Sequence, residues 1–172
     1  MASKNRLLFS LVVAGGLLLS SSSTAQAQLF IGAHGELMDV GGATWGFGGR
    51  VGAVLRESRD FTMAFEAVGT FLYPPCYAME CDVIALQGNL IFRRQMASYS
   101  EAYAGFGVIW EDVKLENDQQ SFQGDDLGFS VIVGTQAGPP GGVRPFLEVR
   151  FSFMDELDDQ AGAVFGLRVP IG

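Results

Sequence analysis

PFLEVRFSF, residues 145–153, is the stretch that decides the fold. Taken alternately, Pro145, Leu147, Val149, Phe151 and Phe153 form one apolar row, with Phe146, Glu148, Arg150 and Ser152 between them. Successive side chains of a strand point to opposite faces, so this segment is a strand with an oily face and a charged face. Which of the two meets water separates two kinds of barrel. A soluble barrel turns the charged row outward, whereas a membrane barrel turns it inward and gives the oily row to lipid.

The same alternation recurs along the chain. LFIGAHGELM (29–38), WGFGGRVGAVL (45–55), FTMAFEAVGTFL (61–72), DVIALQGNLIFRR (82–94) and EAYAGFGVIWE (101–111) each read as a strand followed by a turn. LGFSVIVGTQA (127–137), RPFLEVRFSFM (144–154) and AGAVFGLRVPI (161–171) bring the number to eight. DVKLENDQQSFQGDD (112–126) reads as the longest loop. Beyond residue 28 no segment of useful length has the 3.6-residue period of a helix. Tilted transmembrane strands need about 9–11 residues, and single-chain outer-membrane barrels have even strand numbers starting at eight. An eight-stranded antiparallel meander also closes without a free edge. The sequence therefore predicts an all-β fold, an eight-stranded antiparallel up-and-down transmembrane β-barrel over residues 28–172.

The composition of the two rows points the same way. The oily row is large and uninterrupted, including Phe47, Val51, Phe61, Phe65, Leu90, Phe106, Phe129, Val133, Phe165 and Leu167. The other row carries His34, Glu36, Arg50, Glu66, Arg93, Glu101, Glu148, Arg150 and Arg168 among many small residues. A solvated exterior is rich in lysine, yet the one lysine beyond residue 28 is Lys114, in the expected long loop. Acids and arginines in near balance suit a closed interior, where pairing offsets desolvation and the planar arginine fork grips carboxylates. Trp45, Phe71, Tyr73, Phe92 and Trp110 fall near strand ends, where interfacial aromatic girdles sit. If both termini share one side, the long or decorated connections fall on the other. These are the cysteine loop, residues 112–126 and DELDDQ (155–160).

The first 27 residues read as a secretory signal peptide. MASKNR is basic, LLFSLVVAGGLLLS is apolar, and Ala25-Gln26-Ala27 gives a small-x-small cleavage site after Ala27. The alternative, an N-terminal anchor, is short for a span of about 20 residues. All 19 acids lie beyond this segment but only 9 of the 11 bases do, so the exported chain is more acidic than the −8 of the whole. That argues against nucleic acid as a partner. Cys76 and Cys81 in PPCYAMEC read as a small disulfide-closed loop, with two free thiols as the alternative.

Three features invite chemistry. The interior charges read either as an ion-pair network plugging the barrel, since eight strands leave just enough room for side chains, or as a gated narrow pore. His34, in GAHGE, is the single histidine and reads as a hydrogen-bonded structural residue rather than a general base. The acidic groups Asp118, Asp125 and Asp126, and Asp155, Glu156, Asp158 and Asp159, lie in expected outer loops. Hard cations take such oxygens, but no loop has EF-hand spacing, so solvated acidic loops are expected, with no metal and no cofactor.

With its strand count and its last strand, the chain resembles the small eight-stranded outer-membrane barrels of Gram-negative bacteria, of the outer membrane protein A and X type. The most specific match is QAGAVFGL, where Gln160, Gly162, Phe165 and Leu167 fit the family's C-terminal assembly signal. The ending VPIG, with Gly172 last, departs from the family's usual terminal aromatic. The resemblance implies residence in the cell outer membrane, with lipid and lipopolysaccharide as partners and the barrel-assembly machinery during biogenesis. It implies a structural or surface-interaction role, non-enzymatic, with an unknown partner for the loops. Some small barrels are enzymes acting on lipid A through a histidine and a serine, but no serine is tied to His34 by motif. The alternative roles are a porin-like narrow pore or conduit for small or hydrophobic solutes, and a soluble periplasmic lipocalin-like barrel holding an apolar ligand.

Overall fold

The structure is a computed structural model, which describes residues 28–39, 42–59, 61–75, 80–116, 121–139 and 141–171. Its elements are β1 (Leu29–Asp39), β2 (Ala43–Glu57), β3 (Phe61–Tyr73), β4 (Glu80–Ala97), β5 (Ser100–Glu116), β6 (Ser121–Ala137), β7 (Arg144–Met154) and β8 (Gln160–Ile171). Each strand pairs antiparallel with its neighbours in sequence, and β1 pairs with β8 from Leu29↔Ile171 to Asp39↔Ala161, closing the barrel. Every strand thus has a partner on both sides, as expected of a chain that spans lipid without unsatisfied backbone groups. The expected signal segment, residues 1–27, lies outside the described residues.

One end of the barrel holds the start of β1, the end of β8 and the short connections 57–61, 97–100 and 137–144; we call it the terminal end. The other, the loop end, holds the remaining connections. Two expectations about boundaries need correction. Residues 112–126 are mostly not a loop, because β5 and β6 stay paired through to Glu116↔Ser121. The alternation fades there since polar side chains occupy both faces, while the backbone ladder continues. Gln123 Nε2, for instance, donates to Asp112 Oδ1 across the pair at 3.0 Å. Gln95 and the residues after it likewise extend β4 to Ala97, through a register shift between Gln95 and Ala97.

The stretch 145–153 answers the question it poses. Leu147, Val149, Phe151 and Phe153 are 45–55% exposed, while Glu148 and Arg150 are each 1% exposed. The oily row covers the outside of the barrel and the charged row fills the inside. Large apolar side chains on the other strands follow it outward, among them Phe47, Val51, Phe106, Phe129, Val133, Phe165 and Leu167. Aromatic rings gather toward both ends of this wall. Trp45 stacks on Tyr73 with centroids 4.8 Å apart at the loop end, and Phe61 lies 5.9 Å from Phe92 at the terminal end.

The interior is not polar throughout, which corrects the expectation of one polar row. Toward the terminal end Phe30, Ala64, Ile91, Tyr103 and Ile132 form a buried cluster. Toward the loop end Met38, Leu72, Val83, Ala85 and Ile109 form another, flanked by Val113 and Met154. These residues have the parity of the polar row but not its chemistry. Between the clusters lie the charges. Glycine makes room for both kinds of filling. A Cβ on Gly48 would meet the His34 ring at 2.6 Å and clash with the Gly69 carbonyl, and one on Gly52 would strike the Phe30 ring. The inward glycines of WGFGGRVG, Gly46, Gly48 and Gly52, thus thin the wall of β2 where bulky side chains cross the lumen.

Candidate functional site

The candidate site is a belt of charge across the middle of the barrel. Glu66 on β3 and Glu148 on β7 face inward, opposite Arg50 on β2 and Arg168 on β8; Glu36 on β1 and Arg150 on β7 complete the set. All six are at most 4% exposed. Arg50 Nη1 donates to Glu66 Oε1 at 2.9 Å and to Glu148 Oε2 at 3.4 Å. Arg150 Nη1 donates to Glu36 Oε2 at 2.9 Å, and its Nη2 to Glu148 Oε1 at 3.2 Å. Arg168 Nε donates to Glu66 Oε2 at 3.0 Å. Three glutamates and three arginines from five strands therefore neutralise one another in a space closed to solvent. Each removed charge would leave its partners buried and unpaired, which is where such networks are expensive.

Neutral groups extend the belt. Tyr103 donates its hydroxyl to Glu148 Oε2 at 3.1 Å, and Arg168 Nη1 donates to Gln136 Oε1 at 3.0 Å. Arg50 and Arg168 also lie over the Phe146 ring, at 4.2 and 4.3 Å from its centroid, contacts that favour a cation over an aromatic face. Ser130 Oγ donates to Asn89 Oδ1 at 3.2 Å on the far side.

Two members of the expected network stand apart from it. Glu101 is at the terminal mouth with its side chain 27% exposed, paired to Arg144 Nη1 at 2.9 Å. It joins the belt only through Gln136, whose Nε2 donates to Glu101 Oε2 at 2.6 Å. Arg93 is buried at 7% exposure but has no carboxylate within 4 Å among the described residues; its guanidinium lies 4.7 Å from the Phe30 ring centroid. Parity placed both residues inside, but parity carries no information about depth.

His34 is fully enclosed. Its Nε2 lies 3.0 Å from Thr70 Oγ1 and 3.7 Å from Glu36 Oε2, and its Nδ1 has no hydrogen-bond partner. A histidine base uses one ring nitrogen toward the nucleophile and the other toward an orienting acid. Here the same nitrogen faces both groups, and no substrate can reach a side chain with no exposed surface.

Several residues of the site escaped the sequence reading. Thr70, Gln136 and Glu111 share the parity of the inward row, which is the signal that would have found them. Glu111 accepts from Gln160 Nε2 at 3.0 Å near the loop end. Gln160, expected as part of the assembly signal, thus points inward, whereas Phe165 and Leu167 point outward. Asp126, expected in an acidic loop, is buried and holds the β7–β8 connection: its Oδ2 accepts from the backbone of Glu156 at 2.9 Å and of Leu157 at 2.8 Å. Among the described residues no group of acidic, histidine or cysteine side chains is placed to hold a metal ion. Cys81 is buried at the start of β4; its expected partner Cys76 lies outside the described residues.

No protein-family model and no curated protein sequence matches the chain. Solved structures do. The crystal structure of Ail, the attachment invasion locus protein of Yersinia pestis, superposes with a TM-score of 0.64, covering 84% of this chain and 95% of that one at 14% identity. Neisserial surface protein A gives 0.62, covering 86% and 99% at 14% identity. The N-terminal β-barrel domain of Pseudomonas aeruginosa OprF gives 0.62, covering 85% and 100% at 13% identity. The fold is that of the small outer-membrane β-barrels. The outer membrane enzyme PagL shares it at a TM-score of 0.52 and 10% identity, so this fold by itself decides nothing about catalysis.

Proposed function

We propose that the protein is an integral outer-membrane barrel with a structural and surface-interaction role, non-enzymatic, whose plugged cylinder presents an acidic loop end. The observation that supports it most directly is the inversion of residues 145–153, with charges enclosed and apolar side chains outside. An exposed apolar wall of this extent in water would be an aggregation site; against lipid it is the natural surface of a barrel. A lipocalin-like carrier would have the reverse arrangement, an apolar lumen with room for ligand. In this reading residues 1–27 direct export and are cleaved, the assembly machinery recognises the last strand, and a Cys76–Cys81 disulfide stiffens one outer loop. The terminal end faces the periplasm and the loop end, with Asp39, Asp82, Asp112, Asp125, Asp155, Glu156, Asp158 and Asp159, faces outward among lipopolysaccharide. A structural role fits the belt better than a conduit does, because its six charged side chains are buried against one another and an apolar cluster flanks them toward either end. The enclosed geometry of His34 speaks against catalysis of the histidine-dependent kind.

The test is gel mobility of the membrane fraction with and without boiling. Outer-membrane material whose mobility changes on heating supports the reading. Protein recovered soluble from the periplasm, with no such change, overturns it.

A further inference from the structure

On the outer wall, the charged strand residues of the terminal end are confined to one side. Arg56 on β2 and Arg94 on β4 are both exposed and flank β3. Arg94 lies opposite Phe61, Arg56 opposite Met63, and Met63 in turn opposite Phe92. Phe61 is 42% exposed and belongs to the aromatic band of this end, its ring 5.9 Å from that of Phe92. The two arginines therefore stand at that band, on either side of β3 and two strand spacings apart, about 10 Å. Arg59, also exposed, lies in the connection that leads to Phe61. On the other side of the barrel the same face ends in apolar residues, with Leu147 on β7 and Val169 and Ile171 on β8.

Arg56 reaches this wall through a break in the ladder. Val54 pairs with Ala64 and Arg56 with Met63, so Leu55 is an extra residue, a β-bulge of the kind that re-aims a side chain. Strict alternation from Val51, which faces outward, would send Arg56 into the lumen. The bulge sets it on the outside instead, beside Leu55, itself 45% exposed. Neither Arg56 nor Arg94 has a carboxylate within 4 Å among the described residues. Glu57, next in the chain, lines the cavity at the mouth of the lumen, and Asp60 lies outside the described residues.

We propose that the outer wall of β2–β4 at the terminal end binds the headgroup of an anionic phospholipid, held by Arg56 and Arg94 astride Phe61, with Arg59 adding charge from the connection. Aromatic bands mark the headgroup level of a bilayer. At that level arginine lays its stem on apolar surface and turns its planar fork to phosphate oxygens. The acyl chains then run along Met63, Phe65 and Leu90, which continue the outer row toward the middle of the barrel. Arginines without acids beside them leave an excess of positive charge, which a net-negative headgroup neutralises and a zwitterionic one does not. The inference rests on the reading of the protein as a membrane barrel.

The experiment places the folded barrel in phosphatidylcholine bilayers with a trace of spin-labelled phosphatidylglycerol or spin-labelled phosphatidylcholine. Electron paramagnetic resonance reads the fraction of each label immobilised on the protein. Phosphatidylglycerol is expected to be preferred about fivefold, and less so in high salt. Arg56→Gln/Arg94→Gln is expected to remove the preference. A further variant adds Ala137→Arg and Leu147→Arg to those two changes, restoring the charge on the exposed outer face of β6 and β7 at the same end. It is expected to show no preference either. Arg94→Gln alone, expected to lower the preference about twofold, serves where a multiple variant does not fold. A preference kept by Arg56→Gln/Arg94→Gln, or regained by the relocated arginines, overturns the site in favour of a diffuse basic rim. Label immobilised without regard to headgroup overturns the site and leaves the membrane barrel standing. A protein that immobilises no lipid overturns both.

Discussion

Glu148 is the residue through which most of the belt is joined. It accepts from Arg50, Arg150 and Tyr103, and Arg168 Nη2 lies 3.7 Å from its Oε2. Replacing it with alanine leaves three buried arginines facing two glutamates. Glu148→Ala is expected to destabilise the barrel by about 3–5 kcal/mol, the usual cost of removing one partner from a buried pair, measured by guanidinium unfolding in lipid vesicles. A change well under 1 kcal/mol would mean that the pairs contribute nothing beyond filling space. The sequence shows that Glu148 and Arg150 share a face, because a period of two is local. It does not show that Arg150 meets Glu36 while Arg93 meets no acid. Those outcomes depend on how far along the axis each strand is staggered, and no short stretch of chain encodes that.

At the scale of the strand, the two faces give opposite predictions for similar changes. On β2, Gly48 points inward and Gly49 outward. A Cβ on Gly49 would approach only the Gly32 carbonyl, at 3.8 Å, whereas on Gly48 it meets backbone and His34. Gly48→Ala is expected to cost about 1–3 kcal/mol, as overpacking does, and Gly49→Ala close to nothing, in the same unfolding measurement. On β7, Val149 stands mid-strand on the outer face. Val149→Arg is expected to cost about 2–4 kcal/mol if that point sits at the bilayer midplane, and less in detergent, where the head can reach water. An equal cost in both would argue that lipid does not surround this strand. All eight strands were legible as alternation; their ends were not. Where Asp112 and Gln123 put polar groups on the outer face and Glu111 and Asp126 put them on the inner one, periodicity vanishes although pairing continues. Where Phe30, Met38 or Ile132 occupy the inward row, parity is right and polarity misleads.

The molecule as a whole is a stack of unlike layers: an apolar cluster, a neutralised belt, and a second apolar cluster. Planar-bilayer recordings are therefore expected to show no steady conductance at moderate voltage. Reproducible single-channel steps would instead favour the conduit reading, and the first residues to vary would be Leu72 and Ile109 in the loop-end cluster. The ends differ in sign. Arg56, Arg59, Arg93, Arg94 and Arg144 outnumber the acids at the terminal end, and acids predominate in the connections at the other. This polarity was present in the sequence as a difference between connections. That Arg93 meets no acid among the described residues was not, because it is defined by what surrounds that side chain in space.

The seam between β1 and β8 joins the two ends of the chain, and its consequence lies in time. A sheet with free edges can lose an outer strand and regain it, so damage at a margin is gradual. A ring has no margin: β1 cannot come free without breaking its ladders to both β2 and β8, and the belt that ties β7 to β1 and β2 breaks in the same event. Opening is then one rare step rather than a series of small ones. The lifetime of the folded barrel should be long compared with what its equilibrium stability alone would suggest, and unfolding and refolding should trace different curves on any practical timescale.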